Sequence, residues 1–195
     1  MKVYMIVAYP NHNGLSYNAF ESARQEFERA RHEVRVTDLY AEGFDPVLRF
    51  DDEHKRRDLQ FDDSTAPYRD NITWADHLVF AFPIWWGGMP AILKGFVDRV
   101  FSKGFAYDYK GVMPIGHLTG KTAWIITTHD TPAFYVKLFE QDYGKVLDRQ
   151  VLKFCGIKTI RRTTLPYTRH TTAAQREQWL ASIPAIAKGQ LPVQP

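Results

Sequence analysis

Cysteine is nearly absent: Cys155 stands alone among 195 residues, so no internal disulfide framework exists and the chain suits a reducing cytoplasm. No apolar run approaches the roughly 18–20 residues that a membrane span needs, so membrane insertion is not expected. An excess of charge is also missing. Lys plus Arg number 25 against 22 Asp plus Glu, and a formal +3 leaves no footprint for a nucleic-acid partner. The first residues, Met1 to Pro10, hold a short apolar stretch with no small-residue cleavage site after it, so they read as a buried strand rather than a signal peptide. Neither GxGxxG nor GxxxxGK[ST] occurs, which removes the familiar dinucleotide and P-loop fingerprints. The seven histidines fall in no HExxH-type spacing, so no metal site is expected.

What is present is an alternation of short β-rich runs with longer helical stretches. Val3–Ala8, His32–Leu39, His77–Phe82, Lys121–Thr128 and Lys158–Leu165 read as strands. Ser16 is a candidate cap for a helix whose apolar residues Ala19, Phe20, Ala23, Phe27 and Ala30 recur at spacings of three and four. Residues 72–75 read as the end of a helix, Met89–Phe101 as a well-marked one with Pro90 in its first turn, and Ala173–Lys188 as the terminal one. Phe134–Cys155 reads as helical in two pieces closed by Gly156, and Leu191–Pro195 as a loose tail. Ala41–Asp70 lacks an apolar period and predicts one short helix within a mobile excursion. Five strands separated by helices imply a single α/β domain, 1–195, with a doubly wound parallel sheet covered on both faces.

In such sheets a ligand lies beyond the carboxyl ends of the strands, where strand order reverses. That nominates three loops. Tyr9–Tyr17 ends at Ser16-Tyr17-Asn18 as a helix begins, where backbone N–H groups and side-chain donors can make a phosphate site; a plain helix cap with turn asparagines explains the same residues. Pro83–Met89 carries two adjacent tryptophans and two glycines, suited to walling a planar ring, although core or subunit contacts would also account for the tryptophans. Thr127-Thr128-His129-Asp130 offers hydroxyls and a titratable histidine, with Tyr135 at the start of the next helix. Cys155, among apolar residues, reads as packing rather than as a nucleophile.

Together these segments match a known pattern. Pro83-Ile84-Trp85-Trp86-Gly87-Gly88-Met89-Pro90-Ala91-Ile92-Leu93-Lys94-Gly95-Phe96-Val97-Asp98-Arg99-Val100-Phe101, continuing to Gly104-Phe105-Ala106-Tyr107-Asp108-Tyr109, resembles the NAD(P)H quinone oxidoreductase family. That family includes DT-diaphorase, bacterial modulators of drug activity and ancillary subunits of glutathione-gated potassium efflux systems. Asp38-Leu39-Tyr40, Asp45-Pro46, Thr127-Thr128 and Phe154-Cys155-Gly156 extend the likeness in order along most of the chain.

The resemblance implies a flavodoxin-like fold and a two-electron, ping-pong transfer of hydride from NAD(P)H through a flavin to quinones. It implies that Ser16, Tyr17 and Asn18 hold the flavin phosphate region. Pro83, Ile84, Trp85, Trp86 and Gly87 would line the isoalloxazine, and Thr127, Thr128, His129 and Asp130 would continue the cradle. Tyr135 would lie at the flavin's pyrimidine edge and, with His129, stabilise charge on the reduced ring. Tyr107 and Tyr109 would form the substrate mouth across a homodimer interface. Chain length favours FAD over FMN. The chain departs from the pattern at Tyr9, where the family has His (His12 follows shortly), at His129-Asp130 in place of Gly-Gly, and at Gln141, near the position of a DT-diaphorase His. A flavin-binding regulatory partner of a potassium efflux membrane system is the alternative. A flavodoxin-type one-electron carrier would share the fold, but such carriers tend to be strongly acidic.

Overall fold

In the computed structural model, which describes residues 1–53, 55–138 and 144–190, β1 (Lys2–Val7), β3 (His77–Pro83) and β6 (Thr122–Thr128) lie in the middle of a five-stranded parallel sheet ordered β2-β1-β3-β6-β7, with β2 (Glu33–Asp38) and β7 (Lys158–Leu165) at its edges. Strands covered on both faces cannot alternate apolar with polar, and β3 is buried at every residue. The pleat still divides the core. Tyr4, Ile6, Phe80, Phe82 and Ile125 face α2 (Ala66–Trp74) and α3 (Ala91–Val100) through Ile72, Leu93, Phe96 and Val100. Val3, Met5, Val7, Val79, Ala81, Trp124 and Ile126 face α1 (Leu15–Arg29) and α5 (Ala173–Gly189) through Phe20, Phe27, Ile183 and Ala187. The doubly wound sheet read from the sequence is therefore present.

Several details differ from the expectation. Helix α3 starts at Ala91, with Pro90 as its N-cap instead of inside the first turn. On β2 Val36 is exposed and Thr37 buried, because β2 is an edge strand whose Thr37 hydroxyl takes the Tyr4 phenol at 2.8 Å. A hairpin not read from the sequence, β4 (Tyr107–Lys110) with β5 (Met113–Gly116), projects after α3. Short strands with little burial carry no apolar alternation to reveal them. Beyond residue 132 the chain forms α4 (Ala133–Leu138) and, later, a π-helical segment, Val146–Leu152. Residue 54, the 139–143 stretch with Gln141, and the tail at 191–195 lie outside the described residues.

The Ala41–Asp70 stretch is ordered by polar anchors. Two 3-10 turns, Arg56–Phe61 and Asp63–Thr65, lead into α2. The Arg69 guanidinium donates to the Leu59 and Asp62 carbonyls at 3.2 and 2.9 Å, and Arg99 reaches the Asp45 carbonyl at 2.6 Å and Asp62 at 3.0 Å. The chain at Pro46 crosses α3 over Gly95, where a Cβ would meet the Pro46 carbonyl oxygen at 2.2 Å.

Candidate active site

Strand order reverses between β1 and β3: the connection from β1 leads outward to β2, and that from β3 toward β6. The loops leaving β1 and β3 therefore part company at the sheet's carboxyl edge and leave a crevice. A cavity of about 320 Å³ lies there, lined by Tyr9, Leu15, Ser16, Pro83, Ile84, Trp85, Thr128, His129, Asp130, Thr168, Arg169 and Arg176.

After β1 the chain turns at Asn11, whose carbonyl accepts the Gly14 N–H at 2.9 Å. Gly14 caps α1 through extended backbone; the Tyr9 ring packs so closely on it that a Cβ would lie 1.9 Å from that ring. Ser16 is thus inside the first turn and not the cap. Its buried hydroxyl lies 2.7 Å from Thr128 Oγ1, tying the first loop to the third. The N–H groups of Leu15, Ser16 and Tyr17 have no acceptor within the helix, and no acidic residue opposes an anion in this turn. Tyr17 is stacked on the His12 ring with centroids 4.2 Å apart, and His12 is held 2.8 Å from Asp38. Asn18 is exposed on the next part of the turn.

The second loop is a tight turn. Ile84 N–H donates to the Thr128 carbonyl at 2.8 Å, and Trp85 and Gly88 exchange backbone hydrogen bonds at 2.9 and 3.0 Å. Trp86 and Gly87 fill the corner with φ of +51° and +77°. Trp86 projects fully into solvent, while the Trp85 ring stands 6.2 Å from that of Tyr9.

In the third loop Thr127 turns toward β7, its Oγ1 at 2.8 Å from that of Thr164, so only Thr128 of the pair faces the cavity. His129 is buried, its N–H donating to Leu165 and its carbonyl accepting from Thr168. Burial lowers its pKa, against opposing effects of the Thr131 backbone and the Asp130 charge, so the ring is neutral near pH 7. For Asp130 burial works upward, yet hydrogen bonds from Thr168 and the Arg169 N–H, with the Arg169 charge, hold its carboxyl below the usual range. The Arg169 Nε lies 2.8 Å from Asp130. Arg176 is fixed by the Thr168 and Thr171 carbonyls at 3.2 and 3.0 Å.

The cavity thus gathers Ser16, Pro83, Ile84, Trp85, Thr128, His129 and Asp130. Tyr17, Asn18, Trp86, Gly87 and Thr127 stand around it without lining it. Tyr135, in the first turn of α4 with a partly exposed ring, is also outside the lining. Tyr107 and Tyr109 stand on the β4–β5 hairpin and form an aromatic cluster with Phe154, with centroids 5.0 and 6.2 Å from it. Sequence reasoning missed Thr168, Arg169 and Arg176, which enter from beyond β7; the loop at that strand's carboxyl end, Pro166 to Thr172 with Arg169 in it, was the available signal. Among the described residues no group of three or more His, Cys, Asp or Glu is placed to hold a metal, and no helix is long and apolar enough to cross a membrane.

The N-terminus of α1, a glycine turn and aromatic side chains meet at this crevice, an arrangement that could hold a nucleotide-type cofactor by its phosphate. Residues 1–189 match the family model described as a flavodoxin-like fold. The chain is 31% identical over 205 residues to NAD(P)H dehydrogenase [quinone] 1 of Cavia porcellus, covering 91% of this chain and 72% of that protein. The crystal structure of Smu.1420 from Streptococcus mutans UA159 superposes with a TM-score of 0.93 at 48% identity, covering 97% of this chain and all of that one. An FMN-dependent NADH-azoreductase from Bacillus anthracis str. Ames Ancestor, solved in complex with FMN, shares the fold at 16% identity and a TM-score of 0.78, covering 96% and 98% of the two chains. The chain belongs to the flavodoxin-like NAD(P)H dehydrogenase (quinone) family of oxidoreductases.

Proposed function

We propose that this chain is a flavin-dependent NAD(P)H:quinone oxidoreductase acting as one flavin-binding unit. The observation that carries this reading is the crevice at the strand-order reversal, where the first turn of α1, the Pro83–Gly88 turn and the Thr128–Asp130 segment meet. A flavin there would supply two-electron transfer from a nicotinamide donor to a quinone-type acceptor. The chain's own part is positioning and electrostatics. The free N–H groups of Leu15, Ser16 and Tyr17 would hold the phosphate. Pro83 to Trp85 would wall the ring, with Trp86 and Gly87 at its rim and Thr127 bracing Thr128 from behind. Neutral His129 and backbone donors would face developing negative charge, and Tyr135 would serve the same end from α4.

FAD is the finer reading of the cofactor that chain length suggests, with FMN, the flavin bound in the Bacillus anthracis azoreductase structure, as the competing one. A homodimer is the finer reading of the partners: the hairpin presents Tyr109, Val112, Met113 and Ile115 exposed, with Tyr107 beside them, and pairing would bury this apolar surface and bring the tyrosines to a substrate mouth. A cytoplasmic location agrees with the lone, buried Cys155. No observation favours a role as a potassium efflux partner.

The test is a visible absorption spectrum of the purified protein under anaerobic conditions, with NADPH and then NADH added. Flavin bands that bleach with a donor and return with a quinone are the expected result; a colourless protein that takes up neither flavin overturns the reading. The mass of the flavin released on denaturation decides between FAD and FMN.

A further inference from the structure

Away from the flavin crevice, a second cavity of about 250 Å³ opens between the Arg56–Phe61 turn, the end of α3 and the start of the hairpin. Three of its eight lining residues, Arg56, Arg57 and Lys103, are cationic, beside Ser102 and the apolar or aromatic Leu59, Phe101 and Tyr107. Asp98 is the one acidic lining residue, and both its oxygens are taken by Lys94 at 2.6 and 2.7 Å. Arg56 is exposed and has no ion pair among the described residues. Arg57 and Lys103 have only loose ones, 4.0 Å to Asp58 and 3.5 Å to Asp108. Those two carboxylates are partly engaged elsewhere, accepting the Lys55 and Tyr109 backbone N–H groups at 2.9 and 2.8 Å.

The floor of this cavity supplies an independent observation. Ser102 is 4% exposed, and its Oγ is buried with no hydrogen-bond partner. A buried hydroxyl left without a partner costs stability unless something satisfies it. The loop that holds it is fixed: Ala106 N–H donates to the Ser102 carbonyl at 2.9 Å, and Gly104 N–H to that of Tyr107 at 2.8 Å. Gln60 packs against Gly104 so tightly that a Cβ there would lie 2.1 Å from its Oε1, locking the Arg56–Phe61 turn onto the loop. Burial raises the pKa of the Tyr107 hydroxyl, and the charges of Arg56 and Lys103 oppose that rise, so both cations act on this wall of the cavity.

We propose that this cavity is a binding site for a small phosphate-type dianion, held by Arg56, Arg57 and Lys103 with the Ser102 hydroxyl donating from the floor. Guanidinium groups match the tetrahedral oxygens of phosphate in paired hydrogen bonds, and a lysine adds a compact charge. The volume admits inorganic phosphate or the phosphomonoester end of a small molecule. Occupancy would bridge the Arg56–Phe61 turn, α3 and the hairpin that carries Tyr107.

The test uses the flavin-loaded protein, so that the phosphate seat at α1 is already filled. Calorimetric titration with inorganic phosphate, against chloride at matched ionic strength, is expected to show saturable binding. Arg56→Gln and Ser102→Ala should each weaken it by about tenfold or more, and Lys158→Gln, an equal loss of charge on the far edge strand, should leave it unchanged. Because Ser102→Ala removes an unsatisfied hydroxyl, its melting temperature without phosphate should equal or exceed that of the parent protein. Absence of saturable binding, or binding unaltered by either pocket variant, overturns the proposal. A second titration with a phosphomonoester separates the two sources: tighter binding than inorganic phosphate assigns the site to the ester, equal or weaker binding to the free ion.

Discussion

Trp86 occupies the second position of a four-residue turn with φ of +51°, a conformation that Asn or Gly adopts far more readily than an aromatic residue. It is fully exposed, so no packing in the chain repays that strain. Trp86→Asn should therefore keep or raise stability, by up to about 1 kcal/mol, while slowing quinone reduction. Denaturant midpoints with steady-state turnover check this; lost stability with unchanged turnover would count against a functional role for the indole. His77 poses the opposite problem. It is wholly buried at the start of β3, with Nδ1 2.7 Å from Thr122 Oγ1 and the Phe27 ring beside it, and burial lowers its pKa to about 4. The unfolded chain, with a value near ~6.5, takes up the proton first as pH falls. Stability is thus fully present above that value and declines through the window down to 4, by roughly 3 kcal/mol. A His77→Gln variant should show a smaller loss of urea midpoint between pH 7 and pH 4.5; an equal loss in both proteins would show that His77 does not set it.

Among the elements, α3 shows how one residue type can be chosen against local preference. Ala is the better helix former at position 95 by about 1 kcal/mol, yet Gly95 lets the Pro46 backbone cross at a distance that no Cβ permits. Gly95→Ala should lower the melting temperature, since overpacking costs about 1–3 kcal/mol; a raised one would mean that the crossing segment yields freely. The Ala41–Asp70 stretch was illegible for a related reason. Its order comes from Arg69 reaching the Asp62 carbonyl and from Arg99 reaching Asp45 and Asp62 far along the chain, which leaves no period in the sequence. The buried strands and α1 were legible because burial on both faces, or on one stripe, writes itself into residue type. The hairpin was not, since its exposed short strands carry neither mark.

At the scale of the whole molecule, the exposed hairpin side chains bear on assembly. Val112 is 90% exposed at the hairpin turn. Val112→Asp should change the stability of one chain by no more than about 0.5 kcal/mol but shift the mass measured by light scattering from dimer to monomer; a parent protein that is already monomeric would remove the dimer from the reading. The sequence by itself determined the alternation of buried strands and helices, the parallel sheet and the three loops at its carboxyl edge, because burial and turn chemistry are local properties of residue type. It also supplied the long Pro83–Tyr109 motif. Only the tertiary structure decided which side chains share a cavity. It turned Thr127 away and Thr128 inward, moved Ser16 from cap to loop tie, and brought Thr168, Arg169 and Arg176 to the crevice from the far side of β6. Those outcomes depend on strand order and pleat register, which bring residues more than a hundred positions apart within hydrogen-bond distance, as Ser16 and Thr128 are at 2.7 Å.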